Sequence, residues 1–461
     1  MEIFTSTEFI APGLQYPPLL STSRMQGYSR NLERYKGKYN EGNFIVVKDK
    51  ATNEGLKYNI VTENYFKLIT EKQNSLLLNE YPSVLCKDDE TTALLQKCIK
   101  NCGFWLQLQK AYRSFSSLGD GVLYLYVNEN GESRVNAVNP KHWYCVVDPC
   151  NIENVICHVL VHEIFKENYK AITPSIRTHI RVMYHYKGYY IEKVFKASDY
   201  QIDVPVEYDN GEYVVPVEGR RVDTGLSDFA VFPFSNGNAI DEVYGISDYE
   251  AIADSVKAYE TALTIVGAIL EKNSDPLLVV PKGSARQNSK TGQVEFPQNG
   301  GFIEVGENNN VKYVGLDAPI DETMRYVEKL LDEICIQSEL SKSLLLGEYS
   351  GNASGEALKT VLKSALDKVS RGIDTIESVL KRLFVQMLHI KGIDITSSDI
   401  DIQWQDGIVE SDSVRATTIK TLREAGVLSK KRALIKYDGM SDELADAELI
   451  QIEYEDKEVK V

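Results

Sequence analysis

The chain has 461 residues, 43% of them hydrophobic and 26% charged, and its formal net charge at pH 7 is −16. This length allows more than one hydrophobic core, ordinarily in roughly two to four domains, and the acidic balance disfavours tight general binding to nucleic acid. The lack of an apolar run of about 18 residues argues against a transmembrane helix, the first residues do not resemble a secretory signal, and seven cysteines without zinc-like spacing fit a reducing cytoplasm.

The part of the chain before Ser247 is predicted to contain two regions. Residues 21–118 are expected to be mostly helical, with the clearest helical patterns at 62–78 and 91–118. Residues 120–240 are expected to be rich in strands, because apolar and polar residues alternate and Asn-Gly turn signals recur. The pattern therefore predicts the α+β fold class.

A long helix is predicted from Ser247 to about Lys272. Ser247 and Glu250 have the spacing of a capping box, in which the serine side chain caps the first turn and the glutamate reaches back to the serine amide. Apolar residues then recur every three or four positions, which indicates one buried helix face. At about 1.5 Å per residue this helix is roughly 39 Å long.

The segment from Pro276 to Ala318 is predicted to consist of short strands and turns, with a polar loop through Arg286 and Lys290. A second helix is expected to begin at Pro319. Its polar face is mostly acidic and carries Asp321, Glu322, Glu328, Asp332, Glu333 and Glu339, with Arg325 and Lys329 among them. In an arbitrary protein such a face is a solvated helix surface.

A loop over residues 341–353 separates the second helix from a third, which begins at Ser354 or Gly355 and ends near Gly392. At about 1.5 Å per residue the third helix is predicted to be roughly 57 Å long, well beyond the average of about 11–12 residues. A helix of that length usually spans a body of the protein. A strand near 400–405 and three short helices after Asp412 complete the prediction.

Four segments of the chain resemble tailed-bacteriophage portal proteins, in the order and spacing of that family. One of them lies between the acidic helix and the very long one. The segments are Val135 to Asp148 (VNAVNPKHWYCVVD), Gly245 to Asp248 (GISD), Gly351 to Lys359 (GNASGEALK) and Thr418 to Tyr437 (TIKTLREAGVLSKKRALIKY), the last followed by an acidic stretch. The resemblance covers most of the chain and is least distinct at the N-terminus.

The resemblance implies a portal fold, in which an α/β wing carries a two-helix stem, a small β-containing clip and a helical C-terminal crown. The helices that begin at Ser247 and Pro319 are then the stem, and the long third helix belongs to the wing. The implied boundaries are 1–246 for the N-terminal part of the wing, 247–273 for stem helix 1, 274–318 for the clip, 319–340 for stem helix 2, 341–353 for a tunnel loop, 354–410 for the long wing helix and closing strand, and 411–461 for the crown.

The resemblance also implies a function. Subunits of that family form a dodecameric ring at a unique capsid vertex, and the ring is the channel for DNA packaging and ejection. The implied location is the virion, after assembly in the host cytoplasm. The implied partners are copies of the chain itself, the terminase large subunit, a head-tail adaptor, the major capsid and scaffold proteins, and double-stranded DNA in transit without sequence specificity. No membrane partner, cofactor or enzymatic activity is implied, because the terminase ATPase supplies the energy.

The resemblance assigns candidate residues to three surfaces. The tunnel-loop residues that approach DNA are Leu346, Gly347, Glu348, Tyr349, Ser350, Gly351 and Asn352. The channel-wall candidates are Glu322, Glu328, Asp332, Glu333 and Glu339, and the clip residues for contact with an acidic partner are Lys282, Arg286 and Lys290. An acidic wall would repel phosphates and keep DNA from adhering during transit. A solvated helix face and a solvated loop remain the alternatives for the stem and the clip.

The main alternative function is a cytoplasmic helical scaffold or adaptor, monomeric or dimeric and without a DNA channel, in which one chain buries all of its apolar surface. No nucleophile, carboxylate pair or metal-ligand set stands out for an enzyme. The run from Gly351 to Lys359 lacks the adjacent Gly-Lys-Ser/Thr of a phosphate-binding loop, and the cysteine spacings favour buried thiols over a zinc site. Residues 418–436 have helix-turn-helix proportions, but the acidic stretch that follows disfavours a DNA reader.

Overall fold

The computed structural model describes residues 2–48, 55–167, 175–198, 201–209, 211–237, 240–274, 277–281, 286–287, 294–295, 302–306, 312–314, 320–347, 355–404, 412–438 and 445–452. Helices and sheets are both abundant among these residues, so the predicted α+β class is confirmed.

The helices lie mainly at the two ends of the chain and on either side of a strand-rich middle. In chain order they are α1 (Thr22–Lys36), α2 (Tyr65–Leu78), α3 (Asp89–Asn101), α4 (Phe104–Leu118), α5 (Asp248–Ser274), α6 (Ile320–Ser338), α7 (Lys342–Leu346), α8 (Gly355–His389), α9 (Asp412–Glu424) and α10 (Lys430–Asp438). Short 3₁₀ turns cover Thr7–Phe9, Leu19–Ser21, Pro140–His142 and Ser397–Asp399, and residues 445–452 are also helical. The long third helix predicted from the sequence is therefore present as α8.

Most strands lie between α4 and α5. In chain order they are β1 (Phe44–Lys48), β2 (Gly55–Asn59), β3 (Ser83–Cys86), β4 (Asp120–Val127), β5 (Ser133–Val138), β6 (Trp143–Asp148), β7 (Asn151–Glu167), β8 (Ser175–Tyr186), β9 (Tyr189–Ala197), β10 (Ile202–Pro205), β11 (Tyr208–Asp209), β12 (Val214–Val215), β13 (Arg220–Asp223), β14 (Val231–Ser235), β15 (Leu277–Pro281), β16 (Arg286–Gln287), β17 (Val294–Glu295), β18 (Phe302–Val305), β19 (Lys312–Val314) and β20 (Ile400–Gln403).

The strands from β6 to β10 form an antiparallel sheet in the order β10-β9-β8-β7-β6, and β13 pairs with β9. A second antiparallel sheet has the order β14-β4-β5. The predicted strand near 400–405 is present as β20, and it pairs with β3. Through this pairing, the chain that follows α8 is attached to β3 in the N-terminal half of the fold.

The largest hydrophobic core lies where helices from both halves of the chain meet. Its members include Ile69 of α2, Leu95 of α3, Phe104 and Leu108 of α4, Tyr249, Ile252 and Val256 of α5, Ile334 of α6, and Ile376, Leu380 and Phe384 of α8. Two smaller clusters contain Tyr144 with Val159 and Trp143 with Leu160, on opposite faces of the β6–β10 sheet because neighbouring strand residues point in opposite directions. The first core therefore joins α5, α6 and α8 to the N-terminal helices.

The region 21–118 is less uniformly helical than its sequence predicts. β1 and β2 form an antiparallel ribbon inside it, which the sequence interpretation missed. The pattern predicted as one helix at 91–118 is two helices, α3 and α4. They are separated at Gly103, whose φ of 60° lies in the left-handed region that glycine adopts without strain.

The start of α5 also differs in detail from the predicted capping box. The Ser247 hydroxyl oxygen accepts a hydrogen bond from the Tyr249 amide at 3.1 Å and donates one to the Ser117 carbonyl at 2.6 Å. The Glu250 carboxylate accepts from Arg30 at 3.1 Å instead of returning to the Ser247 amide. The serine cap is thus used, but tertiary contacts with α1 and α4 replace the second half of the box.

Three further features bear on function. Within the described ranges, no helix is long and apolar enough to cross a membrane. The same residues contain no cluster of His, Cys, Asp and Glu that could hold a metal ion. The predicted buried thiols are found at Cys98, Cys102, Cys145 and Cys157, whereas Cys150 is exposed because it lies in the turn between β6 and β7.

Candidate functional site

Helices α5 and α6 form a pair whose chain connection is the strand segment β15 to β19. The Ser255 hydroxyl of α5 donates a hydrogen bond to the Gln337 side-chain oxygen of α6 at 2.8 Å, which fixes the relative height of the two helices. The apolar stripe of α6 buries Val327, Leu331 and Ile334. The predicted helices at 247–272 and 319–340 are therefore present and packed together, with their polar faces outward.

The acidic residues of α6 occupy two different sides of the helix. Glu328 and Asp332 are four residues apart and share one side, whereas Glu322 and Glu333 share another side. At roughly 100° per residue the two sides lie about 110° apart around the helix. The Glu322 side borders a groove shared by Tyr326 and α5, and the Glu328 side is the edge of α6 that points away from α5. The candidate wall residues therefore cannot all face one direction.

Two of the acidic candidates have partners within the chain. Asp332 is 3.4 Å from the Lys342 ammonium of α7, and Glu339 pairs with Arg371 of α8. Glu339 lies beyond the end of α6 with φ of 60°, and so it does not belong to the helix face. Among the described residues, no ion pair involves the other three, Glu322, Glu328 and Glu333. Glu322 and Glu328 are exposed, and Glu333 is half-buried.

The predicted loop at 341–353 begins with a short helix. α7 starts at Ser341, whose hydroxyl oxygen accepts from the Leu344 amide, and ends at Gly347 with φ of 71°. Leu344 and Leu345 are buried, because the run of leucines supplies an apolar side that packs into the core. The loop prediction is therefore wrong for residues 342–346. Leu346 is half exposed at the end of α7, and Glu348, Tyr349, Ser350, Gly351 and Asn352 lie outside the described residues.

The strand-rich character predicted for 276–318 is confirmed where the structure describes this segment. β15 pairs in parallel with β18 and antiparallel with β19. Arg286 lies in β16, opposite Glu295 of β17, so the predicted polar loop is interrupted there by a strand pair. The predicted contact residues Lys282 and Lys290 lie outside the described residues.

The first residue of α5 is the centre of a buried polar junction that the sequence interpretation did not identify. The Asp248 carboxylate accepts hydrogen bonds from Gln73 of α2 at 3.1 Å and from Ser116 of α4 at 2.7 Å. Asn236, after β14, donates to the same carboxylate at 3.1 Å. Carboxylates are also favoured near a helix N-terminus by the helix dipole. One side chain thus joins α5 to three other parts of the fold.

The fourth partner of Asp248 comes from the long helix. The Lys368 ammonium of α8 lies 3.0 Å from the Asp248 carboxylate, and only 13% of the lysine side chain and 7% of the aspartate side chain are exposed. Lys368 also donates to the backbone carbonyl of Ser338, the last residue of α6, at 3.1 Å. One lysine therefore holds the start of α5 and the end of α6 at the same place. We call the contacts of Asp248 and Lys368 the junction.

Next to the junction, the backbone at Gly245 crosses close to the backbone at Gly119. A Cβ atom on Gly245 would lie 2.2 Å from the Gly119 carbonyl oxygen, and Gly119 itself has φ of 100°. The buried Asp120 beside it accepts from the Gly245 amide at 3.0 Å and from Ser235 at 2.6 Å, and burial raises the pKa of its carboxyl. The glycine of the Gly-Ile-Ser-Asp segment is therefore required by the structure, because any side chain at this position would clash with the crossing backbone.

No sequence signal pointed to Lys368. It is one of several lysines on α8, and its partner lies 120 positions earlier in the chain, so spacing does not connect them. Asp248 had a weaker signal, because it follows the capping serine in a segment already noted for its resemblance. The structure is what brings the two together.

Comparison with known proteins gives two results. The family model described as "Phage portal protein, SPP1 Gp6-like" matches residues 21–460 of this chain. A solved structure titled "Neck of empty GTA particle computed with C6 symmetry" is similar at 13% identity with a TM-score of 0.42, over 80% of this chain and 88% of that one. No curated protein matches.

Proposed function

The chain belongs to the SPP1 Gp6-like family of phage portal proteins, and we propose that its copies form a ring of twelve at a unique capsid vertex. The ring is the channel through which double-stranded DNA enters during packaging and leaves during ejection. Portal proteins are structural, and the chain is proposed to catalyse nothing, because the terminase ATPase supplies the energy. The mature location is the virion, after assembly in the host cytoplasm.

The subdomain assignment follows from the same proposal. α5 and α6 are the stem, the segment from β15 to β19 is the clip, and α8 with the β-rich middle belongs to the wing. The clip is proposed to dock the terminase large subunit and later the head-tail adaptor, with Lys282, Arg286 and Lys290 as contacts. The major capsid and scaffold proteins are the other proposed partners. The helices after residue 411 form the crown.

The observation that best supports a ring is the uncovered outer surface of the stem. Ile336 and Met324 are 69% and 38% exposed on the side of α6 that carries Glu328 and Asp332. Large apolar side chains on the outside of a two-helix unit are typical of protein interfaces. A monomeric adaptor would have to leave this surface in water. Neighbouring copies would cover it.

For the channel wall we propose the side of α6 that carries Glu322 and Glu333. Neither residue has an ion partner among the described residues, whereas Asp332 on the other side is partly neutralised by Lys342. In a ring, each acidic residue is repeated at one height around the channel. Exposed charges act over about 8 Å at physiological salt, so DNA that approaches such a wall is repelled before it adheres. Glu348, Tyr349 and Asn352 are proposed to reach closest to DNA from the tunnel loop.

The ring is tested by the native mass of the purified full chain, measured by mass photometry and accompanied by negative-stain images. Particles of about twelve copies with a central hole are expected. A monomer or dimer at every salt and protein concentration, also in the presence of the scaffold protein, would contradict the ring and favour the adaptor function.

The channel wall is tested separately by replacing Glu322 and Glu333 with lysine. Rings of normal mass are expected, with less DNA packaged per particle in a packaging extract, because the cationic wall holds phosphates. The matched control replaces two exposed acidic residues of the strand-rich middle with lysine, Glu129 in a turn and Glu153 near the start of β7. Equal packaging by both pairs of variants would show that the Glu322 side does not face DNA.

A further inference from the structure

The β1–β2 ribbon is held on α5 by a buried acidic side chain. The Glu260 carboxylate of α5 accepts hydrogen bonds from the Tyr39 hydroxyl, from Asn40 at 2.8 Å and from the Glu63 amide at 3.0 Å. The Thr264 hydroxyl, one turn later, accepts from the Val61 amide at 3.0 Å. The open end of the ribbon, where β1 begins and β2 ends, is thus fixed to one side of α5.

The outer face of this ribbon is apolar and uncovered. The register places Phe44 opposite Asn59 and Val46 opposite Lys57, so Phe44, Val46 and Lys57 share one face. Phe44 and Val46 are each 47% exposed, and the Lys57 ammonium lies 4.5 Å from the centre of the Phe44 ring. Tyr58, on the opposite face, lies within hydrogen-bonding reach of Glu271 of α5. The Phe44 face is therefore the other face of the ribbon, and Phe44 itself borders an open groove lined by Asp254 and Lys257 of α5.

A two-stranded ribbon alone is at best marginally stable in water and gains stability from a partner surface. The ribbon and α6 lie on opposite flanks of α5. Glu260, Thr264 and Glu271 share one side of α5 at spacings of four and seven residues, while Ser255 and Ala262 face the α6 side. Such an arrangement puts two different surfaces on the two flanks of one unit, as a closed head-to-tail ring requires.

The two flanks also match in height and charge. Because Ser255 is level with Gln337, the antiparallel helices place Glu260, Thr264 and Glu271 level with about Asp332, Glu328 and Asp321. Rotation about a ring axis parallel to the stem keeps each residue at its height. The ribbon of one copy therefore reaches the Asp321, Glu328 and Asp332 edge of the next, which Met324 and Ile336 flank as exposed apolar residues.

From these observations, and resting on the ring proposed above, we propose that the Phe44, Val46 and Lys57 face of the β1–β2 ribbon packs against the outer edge of α6 in the neighbouring copy. Phe44 and Val46 cover Met324 and Ile336 there, and Lys57 lies among the acidic residues. This assignment leaves the Glu322 side of α6 free for the channel. The acidic residues of α6 then have two functions: Glu322 and Glu333 line the channel, whereas Asp321, Glu328 and Asp332 contact the neighbouring copy.

The test is the assembly of full-length variants. Phe44→Asp combined with Val46→Asp is expected to raise the protein concentration needed for half-assembly at least about tenfold, since buried aromatic residues are typical interface hot spots. Leu19→Asp is the matched control, because Leu19 is 74% exposed and lies in a 3₁₀ turn outside the ribbon. Thermal melting of the monomer is expected to stay unchanged in both, since all three side chains are exposed.

A charge exchange identifies the partner residue. Lys57→Glu and Glu328→Lys are each expected to weaken assembly, and the two together to restore it. Glu322→Lys, on the other side of the same helix, is expected not to rescue Lys57→Glu. Rings that form normally in the Phe44 and Val46 variant, or equal rescue by the two glutamate variants, would overturn this contact while leaving the ring intact. A parent chain that forms no rings would instead contradict the proposed function.

Discussion

The β6–β10 sheet and the α5–α6 pair, which is the proposed stem, differ in how their charged and apolar side chains are placed. In the sheet, the Glu192 carboxylate is fully buried and is paired with Arg181, and Arg177 pairs with Glu163 at 2.9 Å. In the stem, Glu322 and Glu328 have no ion partner among the described residues, and Tyr326 and Ile336 are largely exposed. The charged groups of the sheet thus find ion partners within one chain. In the proposed ring, neighbouring copies would cover the exposed apolar surface of the stem.

This difference bears on how the protein assembles. Burying a charge is costly unless it is paired, and exposing large apolar residues is costly unless they are later covered. The sheet meets the first condition inside the monomer, and the stem would meet the second in the proposed ring. The junction of Asp248 and Lys368 is one of the places at which the stem is fixed to α2, α4 and α8.

The largest expected effect comes from breaking the junction. Lys368→Met removes the buried cation and leaves the Asp248 carboxylate without its charge partner, which we expect to lower the free energy of unfolding by about 3–5 kcal/mol. Urea denaturation of the monomer followed by far-UV circular dichroism measures this change. Arg371→Ala is the control, because its ion pair with Glu339 is exposed and such pairs contribute about 1 kcal/mol or less. Equal losses in both variants would show that the junction is no stronger than a surface pair.

The second prediction concerns the buried histidines of the β6–β10 sheet. His185 is fully buried between Tyr124 and Tyr190, neither ring nitrogen has a hydrogen-bond partner among the described residues, and burial lowers its pKa to about 3. The charges of the nearby His158, His162 and Arg181 contribute to the same lowering of the His185 pKa. Burial likewise lowers the pKa of His158 to about 3 and that of His162 to about 4.

The sign follows from proton binding in the two states. The unfolded chain takes up protons on these histidines below about pH 6.5, whereas the folded chain does not until about pH 3 to 4. Stability is therefore complete above pH 6.5 and is lost as the pH falls, by up to about 1.4 kcal/mol per pH unit for each histidine.

His185→Phe removes one of these protonation sites and keeps the ring between the two tyrosines. At pH 5 we expect its loss of stability, relative to pH 7.5, to be about 2 kcal/mol smaller than that of the parent. Denaturation curves at both pH values measure the difference. His389→Gln, at the exposed end of α8 where His389 contacts Asp394, is the control and should leave the profile as steep as in the parent. An unchanged profile for His185→Phe would mean that this buried ring is not protonated on unfolding.

The smallest expected effect is local and concerns the ribbon. Burial raises the pKa of Glu260, and its two carboxylate oxygens together accept three hydrogen bonds at the base of the ribbon. Glu260→Gln offers a single acceptor oxygen, so we expect amide exchange in β1 and β2 to become about tenfold faster, equivalent to about 1.4 kcal/mol. Hydrogen exchange with mass spectrometry measures this, and Glu250→Gln on the exposed side of α5 is the control. Faster exchange across the whole chain would instead indicate a global role for Glu260.

Long amphipathic helices were predictable because burial of one face repeats every three or four residues. The predicted apolar positions Leu362, Ala365 and Val369 of α8 are all buried, as are Ile376 and Leu380 two and three turns further along. The β1–β2 ribbon was missed although Ile45, Val46 and Val47 form a β-branched run, because short apolar runs do not distinguish a strand from a helix. The short helix α7 was missed for the same reason.

The α+β class and the three long helices could be predicted from local patterns, and the family resemblance from four segments in order along the chain. The order of stem, clip and wing stays a prediction that rests on that resemblance. The junction could not, because Asp248 and Lys368 are far apart in sequence and meet only when α5, α6 and α8 pack together. The division of the acidic residues of α6 between two sides depended on where α5 lies. A periodic pattern records which residues share one side of an element, but the neighbour that each side meets is decided by tertiary packing.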